Sequence, residues 1–170
     1  IDQAEALEKV KKGLIDMVGE GKGDYLWDER NKMYTTRYYL RAPTMLVRTK
    51  QPHAIERIAL QGGYWFSEHV AADHPGKEII FYKNVRECFD ALLKGDADAV
   101  YANVYVTNYL LTERRYESLA ATSMSKYTSE ICFGIFKCAD PRLLSILDKC
   151  IQYTAPERMD ELVLKNTTKP

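Results

Sequence analysis

No charge of one sign dominates this sequence: Lys plus Arg and Asp plus Glu both number 24, so the formal net charge is zero. A balanced chain offers no electrostatic case for nucleic acid or for an anionic membrane surface as a partner. Long hydrophobic runs are missing as well. No segment approaches the roughly 20 apolar residues of a membrane span, and no signal peptide is visible. Any membrane attachment would come through a tether outside these residues. Cysteine is sparse, with only Cys88, Cys132, Cys138 and Cys150 in 170 residues. None forms a C-x-x-C pair and the histidines stand well away in sequence, which excludes a zinc site. Buried free thiols are expected, and a Cys138–Cys150 disulfide stays open for an oxidising compartment. Nothing calls for a cofactor.

What is present suits a globular chain with a real core. Apolar residues make up 46% and charged residues 28%, in a length that suits one domain or two small lobes. The opening "IDQAEALEKVKKG" reads as the middle of a fold, so upstream sequence is expected. Ala4, Leu7 and Val10 have helical spacing, and Gly13 supplies a C-terminal stop. "LIDMVG" is a short apolar strand, "WDERNKMY" a short helix, and "YYLRAPTMLVRT" an extended segment. A regular alternation follows. "RIALQGG", "EIIFYK", "ADAVYAN" and "SEICFGIFK" are strands. "YWFSEHVAADH", "NVRECFDALLKG", "VYVTNYLLTERR" and "DPRLLSILDKCIQYT" are helices, and "PERMDELVLKN" is a last helix. Asn84 and Asp140 are the expected N-caps, Gly95 a C-terminal stop, and Pro141 a first-turn residue. Strands alternating with helices of this length imply an α/β fold with mostly parallel sheet.

One phrase occurs twice. Lys12-Gly13-x-x-Asp16-x-Val18 matches Lys94-Gly95-x-x-Asp98-x-Val100. In both, a helix stops on glycine and the chain enters a buried strand through an aspartate. Two similarly wound lobes would produce this, and chance convergence at an αβ junction is the alternative. Ligands of such sheets sit beyond the carboxyl ends of the strands, here Gly19-Glu20 and Ala102-Asn103.

"RIALQGGYWFSEHV", "NVRECFDALLKGDADAVYAN" and "EICFGIFKCADPRLLSILDKCIQ" resemble the bacterial extracellular solute-binding proteins of family 3. These are periplasmic binding proteins of type 2, with a Venus-flytrap fold. The tail "ADPRLLSILDKCIQYTAPERMDELVLKNT" is similar to the version fused to membrane sensors such as histidine kinases and diguanylate cyclases. The resemblance implies residues 1–48 as a partial first lobe with the first crossing strand, and 49–128 as a complete second lobe. Residues 129–170 would be the second crossing strand and helices returning to lobe one. The family's opening strand, helix and strand have no counterpart, so the first lobe is expected to be incomplete. Such a lobe exposes sheet edge and apolar helix faces, which implies a homodimer or a segment swap.

The resemblance also implies a binding set. Arg30 in "WDERNK" aligns with an arginine that holds a ligand carboxylate, for which a planar fork is suited. Pairing of Arg30 with Asp28 or with solvent is the alternative. Tyr25 and Trp27 stand where the family has Ser or Thr. In the second lobe "LQGGYWF" keeps Gly62 and Gly63 for close backbone approach. It lacks the family's hydroxyl and follows with Tyr64 and Trp65, of which one or both can instead be buried. Asn103 replaces the family's aspartate, and it can equally cap the helix that follows. Glu20 is a weaker candidate, while Asp16 and Asp98 are expected to be structural. His69 and His74 belong to a solvated helix end, Tyr105, Tyr109 and Leu110 to the core, and Ser67 and Ser129 lack a nucleophile signature.

The expected function is a non-catalytic extracellular or periplasmic sensor domain that closes its lobes on a small polar or carboxylate-bearing solute. The alternatives are the binding component of an amino-acid-type ABC transporter, and a dehydratase-like enzyme, which needs a cleft carboxylate as acid. A transcription-regulator effector domain would need a DNA-binding helix pair upstream.

Overall fold

A computed structural model describes residues 3–21, 25–62 and 66–167. In chain order the elements are α1 (Gln3–Lys11), β1 (Met17–Gly21), α2 (Tyr25–Asn31), β2 (Met33–Thr35), β3 (Leu40–Thr49), β4 (Arg57–Gln61), α3 (Ser67–Asp73) and β5 (Glu78–Tyr82). These are followed by α4 (Val85–Lys94), β6 (Ala99–Asn103), α5 (Val104–Leu111), a 3-10 turn (Arg114–Tyr116), β7 (Leu119–Phe136), α6 (Pro141–Tyr153) and α7 (Pro156–Thr167). The described chain divides into two compact units, residues 3–41 with 129–166 and residues 42–128 with 167. β3 and β7 are the two strands whose chain passes from one unit into the other.

In the second unit the strands lie in the order β3-β6-β4-β5. β4 pairs in parallel with both β5 and β6, as the strand–helix alternation requires, while β3 pairs antiparallel with β6. Successive side chains of β6 point to opposite faces. Val100 and Ala102 join Phe89, Leu92, Cys88, Leu110 and Tyr116 on one side, and Ala99 and Tyr101 join Ile58, Leu60, Phe66, Val70 and Tyr127 on the other. The sheet is therefore covered on both faces, which is why its strands read as continuous apolar runs.

The helix ends follow their sequence signals. Asn84 Oδ1 accepts from Glu87 N at 2.9 Å and Glu87 Oε2 accepts from Lys83 N at 3.1 Å, a reciprocal capping arrangement. Gly95 takes φ 78°, and Asp96 N donates to Ala91 O at 2.9 Å. Gly13 repeats this with φ 68°, and Leu14 N donates to Lys9 O at 2.9 Å. Both copies of the repeated phrase thus end a helix with the same left-handed cap. They part at the aspartate. Asp98 Oδ2 accepts from Arg57 N at 2.8 Å and Glu56 N at 3.1 Å, whereas Asp16 is exposed and uses its main-chain oxygen, which accepts from Phe136 N at 2.9 Å.

The first unit pairs β1 and β2 with the end of β7, both antiparallel, so the parallel pairing expected of most of the sheet is confined to β4, β5 and β6. Its core gathers Val10, Val18 and Met33. α6 starts as expected, with Asp140 as N-cap and Pro141 in the first turn. None of its residues is buried: Ile146 is 56% and Tyr153 82% exposed. β7 is 18 residues long, and its first half was not legible because "LAATSMSKYT" carries little apolar alternation. Cys88 and Cys132 are buried free thiols, while Cys138 and Cys150 are free and exposed, which corrects the expectation of buried thiols for that second pair.

Candidate functional site

The parallel strands of the second unit place their carboxyl ends together. β4 and β6 are in register at Ile58–Ala99 and Ala59–Val100, and carrying that register forward brings Gly62 level with Asn103. Gly62 N donates to Tyr82 O at 2.8 Å, which adds the end of β5 to the same edge. A Cβ built on Gly62 meets nothing nearer than Tyr82 O at 3.6 Å, so the fold does not itself require glycine there. Gly63, Tyr64 and Trp65 lie outside the described residues. Asn103 is half-buried and caps α5, its Oδ1 accepting from Val106 N at 2.9 Å. The same amide still has a side-chain NH2 to offer.

Two polar side chains near Asn103 in register were not singled out from sequence. Thr44 stands opposite Asn103 on β3, on the same face of the sheet, and Thr107 lies one turn into α5. Both are fully buried, and neither hydroxyl has a hydrogen-bond partner among the described residues. A lone Thr inside "APTMLV" was the available signal.

In the first unit α2 carries Tyr25, Trp27 and Arg30. Tyr25 is 74% exposed and Arg30 is exposed, while the side chain of Trp27 lies outside the described part of the structure. Asp28 Oδ2 accepts from Thr35 Oγ1 at 2.9 Å. The side chain of Glu20 likewise lies outside the described part.

The remaining expectations divide. His74 is not simply solvated: its Nε2 lies 2.9 Å from the buried Tyr101 hydroxyl. Leu110 is core, but Tyr109 is 39% exposed. Burial pushes the Tyr101 phenol up, with the Asp73 carboxylate adding to it. Burial also drives the Cys88 thiol to about 12 and the Cys132 thiol to about 11, so neither is a thiolate nucleophile. A cavity of about 270 Å³ lined by Thr49, His53, Leu93, Gly95 and Asp98 sits at the amino-terminal end of β6, opposite Asn103. Among the described residues no helix is long and apolar enough to cross a membrane, and no group of three His, Cys, Asp or Glu side chains is placed to hold a metal ion.

Sheets wound this way, with crossing strands, match solved structures closely. The periplasmic VFT2 domain of BvgS from Bordetella pertussis superposes with a TM-score of 0.86 at 19% identity, over 99% of this chain and 74% of that one. The fold is the Venus-flytrap fold of type 2 periplasmic binding proteins. A histidine kinase sensor domain with similarity to periplasmic binding proteins gives 0.77 at 15% identity, over 97% of this chain and 75% of that one. An ancestral arginine-binding protein bound to arginine gives 0.77 at 17% identity, over 99% and 78%. The chain spans about three quarters of these flytrap chains. No family model and no curated protein matches it.

Proposed function

We propose that this chain is a periplasmic or extracellular ligand-binding sensor module that takes up a small solute by lobe closure and performs no catalysis. The observation that carries it is the second unit's edge, where a glycine-ended strand, Gly62, lies level with an asparagine-capped helix, Asn103. A strand end, a helix N-terminus and a neutral side-chain amide meet there in the fold of a solute binder. The similar sensor domains favour a signalling role. The similar substrate-binding protein of an amino acid ABC transporter supports delivery to a permease as the second reading. A dehydratase-like role is disfavoured because Asn103 cannot act as a general acid at this edge.

The solute follows from the same residue. An amide donates and accepts, but it cannot neutralise a buried cation. Asn103 therefore suits a carboxylate-bearing metabolite without an α-ammonium group. Exposed Ile146 and Tyr153 on α6 and Leu14 favour a second copy or a swapped segment over the first unit. Titration calorimetry with glutarate and with L-glutamine, on the natural chain and on Asn103→Asp, tests the assignment. Glutarate is expected to bind the natural chain, and L-glutamine to gain on Asn103→Asp. Tighter binding of L-glutamine than glutarate by the natural chain would refute it.

A further inference from the structure

One side chain touches both ends of helix α3. Tyr127 of β7 is 5% exposed, and its ring stacks on Phe66, the residue before α3, with centroids 5.3 Å apart and an interplanar angle of 9°. Its hydroxyl donates to Oδ2 of Asp73, the last residue of α3. One tyrosine therefore holds both ends of a seven-residue helix. The C-terminal end is tied twice more. Lys126 Nζ lies 2.7 Å from Asp73 Oδ1, and His74 Nε2 lies 2.9 Å from the hydroxyl of Tyr101, whose ring meets that of Tyr127 edge-on at 5.5 Å. Lys126 and the Tyr127 hydroxyl hold the Asp73 carboxyl below its usual range, and burial together with Asp73 pushes the Tyr127 phenol up. The acceptor stays charged and the donor stays protonated, the stronger kind of hydrogen bond.

The position of Tyr127 gives this cluster a use beyond packing. The chain of β7 passes from one unit to the other between Thr128 and Ser129, directly after it. α3 is the helix that follows β4, whose end at Gly62 lies level with Asn103. The geometry points to the Tyr127–Asp73 pair as a positioning link that couples α3, beside the binding edge, to the strand that leaves the unit. A change in the path of β7 at residue 127 moves both ends of α3 as one body, and a displacement of α3 reaches β7 by the same two contacts. The use of the link in sensing rests on the solute-binding reading, but the link itself does not.

Tyr127→Phe keeps the ring stack and removes only the hydroxyl, and Asp73→Asn keeps the shape and removes the charge. Hydrogen–deuterium exchange on the natural chain and these variants, with no solute added, tests the coupling. The α3 amides of Val70 and His74, which donate to Phe66 O and Val70 O, are expected to exchange about tenfold faster in each variant. Residues 129–133 of β7 are expected to accelerate in step, and the double variant to exceed neither single one, as for partners in one contact. Val47→Ala, a core change elsewhere in the unit, serves as the control and is expected to leave residues 129–133 unchanged relative to global stability. Should Tyr127→Phe fail to fold, Lys126→Met loosens the same carboxylate from its exposed side. Protection of residues 129–133 that stays at the natural level while α3 loosens, or no change in either, would overturn the link. Failure of every solute to bind would instead count against the proposed function and leave the exchange result standing.

Discussion

Replacing Asp98 with asparagine should destabilise the chain far more than the same change at Asp16, although both occupy the same place in the repeated phrase. Asp98 is 15% exposed and sits between strands: Oδ2 accepts from two main-chain amides, of Arg57 and Glu56, and Oδ1 faces the Arg57 guanidinium at 3.3 Å. Hydrogen bonds to a charged group contribute about 1.5–3 kcal/mol each, and the three share one carboxylate, so about 2–3 kcal/mol is expected for Asp98→Asn. In a chain of this length that is a fall in Tm of roughly 4–12 °C. Asp16 contributes a main-chain oxygen that asparagine also has, so Asp16→Asn should stay within about 0.5 kcal/mol. The pH dependence provides a second check. Burial opposes the charge on Asp98, but the two amides and Arg57 outweigh it and hold the carboxyl below its usual value. Its contribution is therefore complete above the ordinary aspartate value of about 3.9 and fades as pH falls through the lower folded value. Urea unfolding of the two variants across pH 2–7 measures both effects. Equal losses at Asp98 and Asp16, or a natural chain whose acid limb matches that of Asp98→Asn, would refute the reasoning.

Gly21→Ala should cost about 1–3 kcal/mol in urea unfolding, because its Cβ would lie 2.9 Å from Thr35 Cγ2 and 3.0 Å from Gly134 N, while Gly19→Ala, with nothing within 4 Å, serves as the neutral control. Thr44→Val should leave stability unchanged or raise it by about 1 kcal/mol in the same assay, since a buried hydroxyl without a partner is traded for a methyl group. Thiol titration at pH 8 should label two cysteines, Cys138 and Cys150, with Cys88 and Cys132 reacting only in denaturant, a contrast readable by mass spectrometry of the labelled peptides.

The alternation of strands and helices was legible because elements of the second unit carry their own period and, as with Asn84 and Gly95 on α4, their own caps. Parallel pairing was read correctly only for β4, β5 and β6, whose connections are helices. The antiparallel ladders of β1 and β2 depend on the end of β7, more than 90 residues away in sequence, which local periodicity does not report. α6 illustrates a different limit. Asp140 and Pro141 made it legible as a helix, but how much of it is buried depends on a partner surface and not on spacing alone, and none of its residues is buried. At the candidate site Asn103 was legible as a strand end from the αβ rule, and Gly62 from the family resemblance. Thr44 and the Tyr127–Asp73 pair were not, since their meaning comes from cross-strand register and from a contact spanning 54 residues.

Binding of a small solute should stabilise this fold, and a thermal-shift panel reads that stabilisation directly. The panel should compare succinate, glutarate and aromatic carboxylates with L-arginine and L-glutamine, on this chain and on the same chain with whatever native sequence flanks it. A solute present at about 100 times its Kd adds about 2.7 kcal/mol, so one amine-free carboxylate should raise Tm by several degrees while the two amino acids do not. A panel in which no carboxylate shifts Tm in either form, or in which the amino acids alone do, would contradict the account.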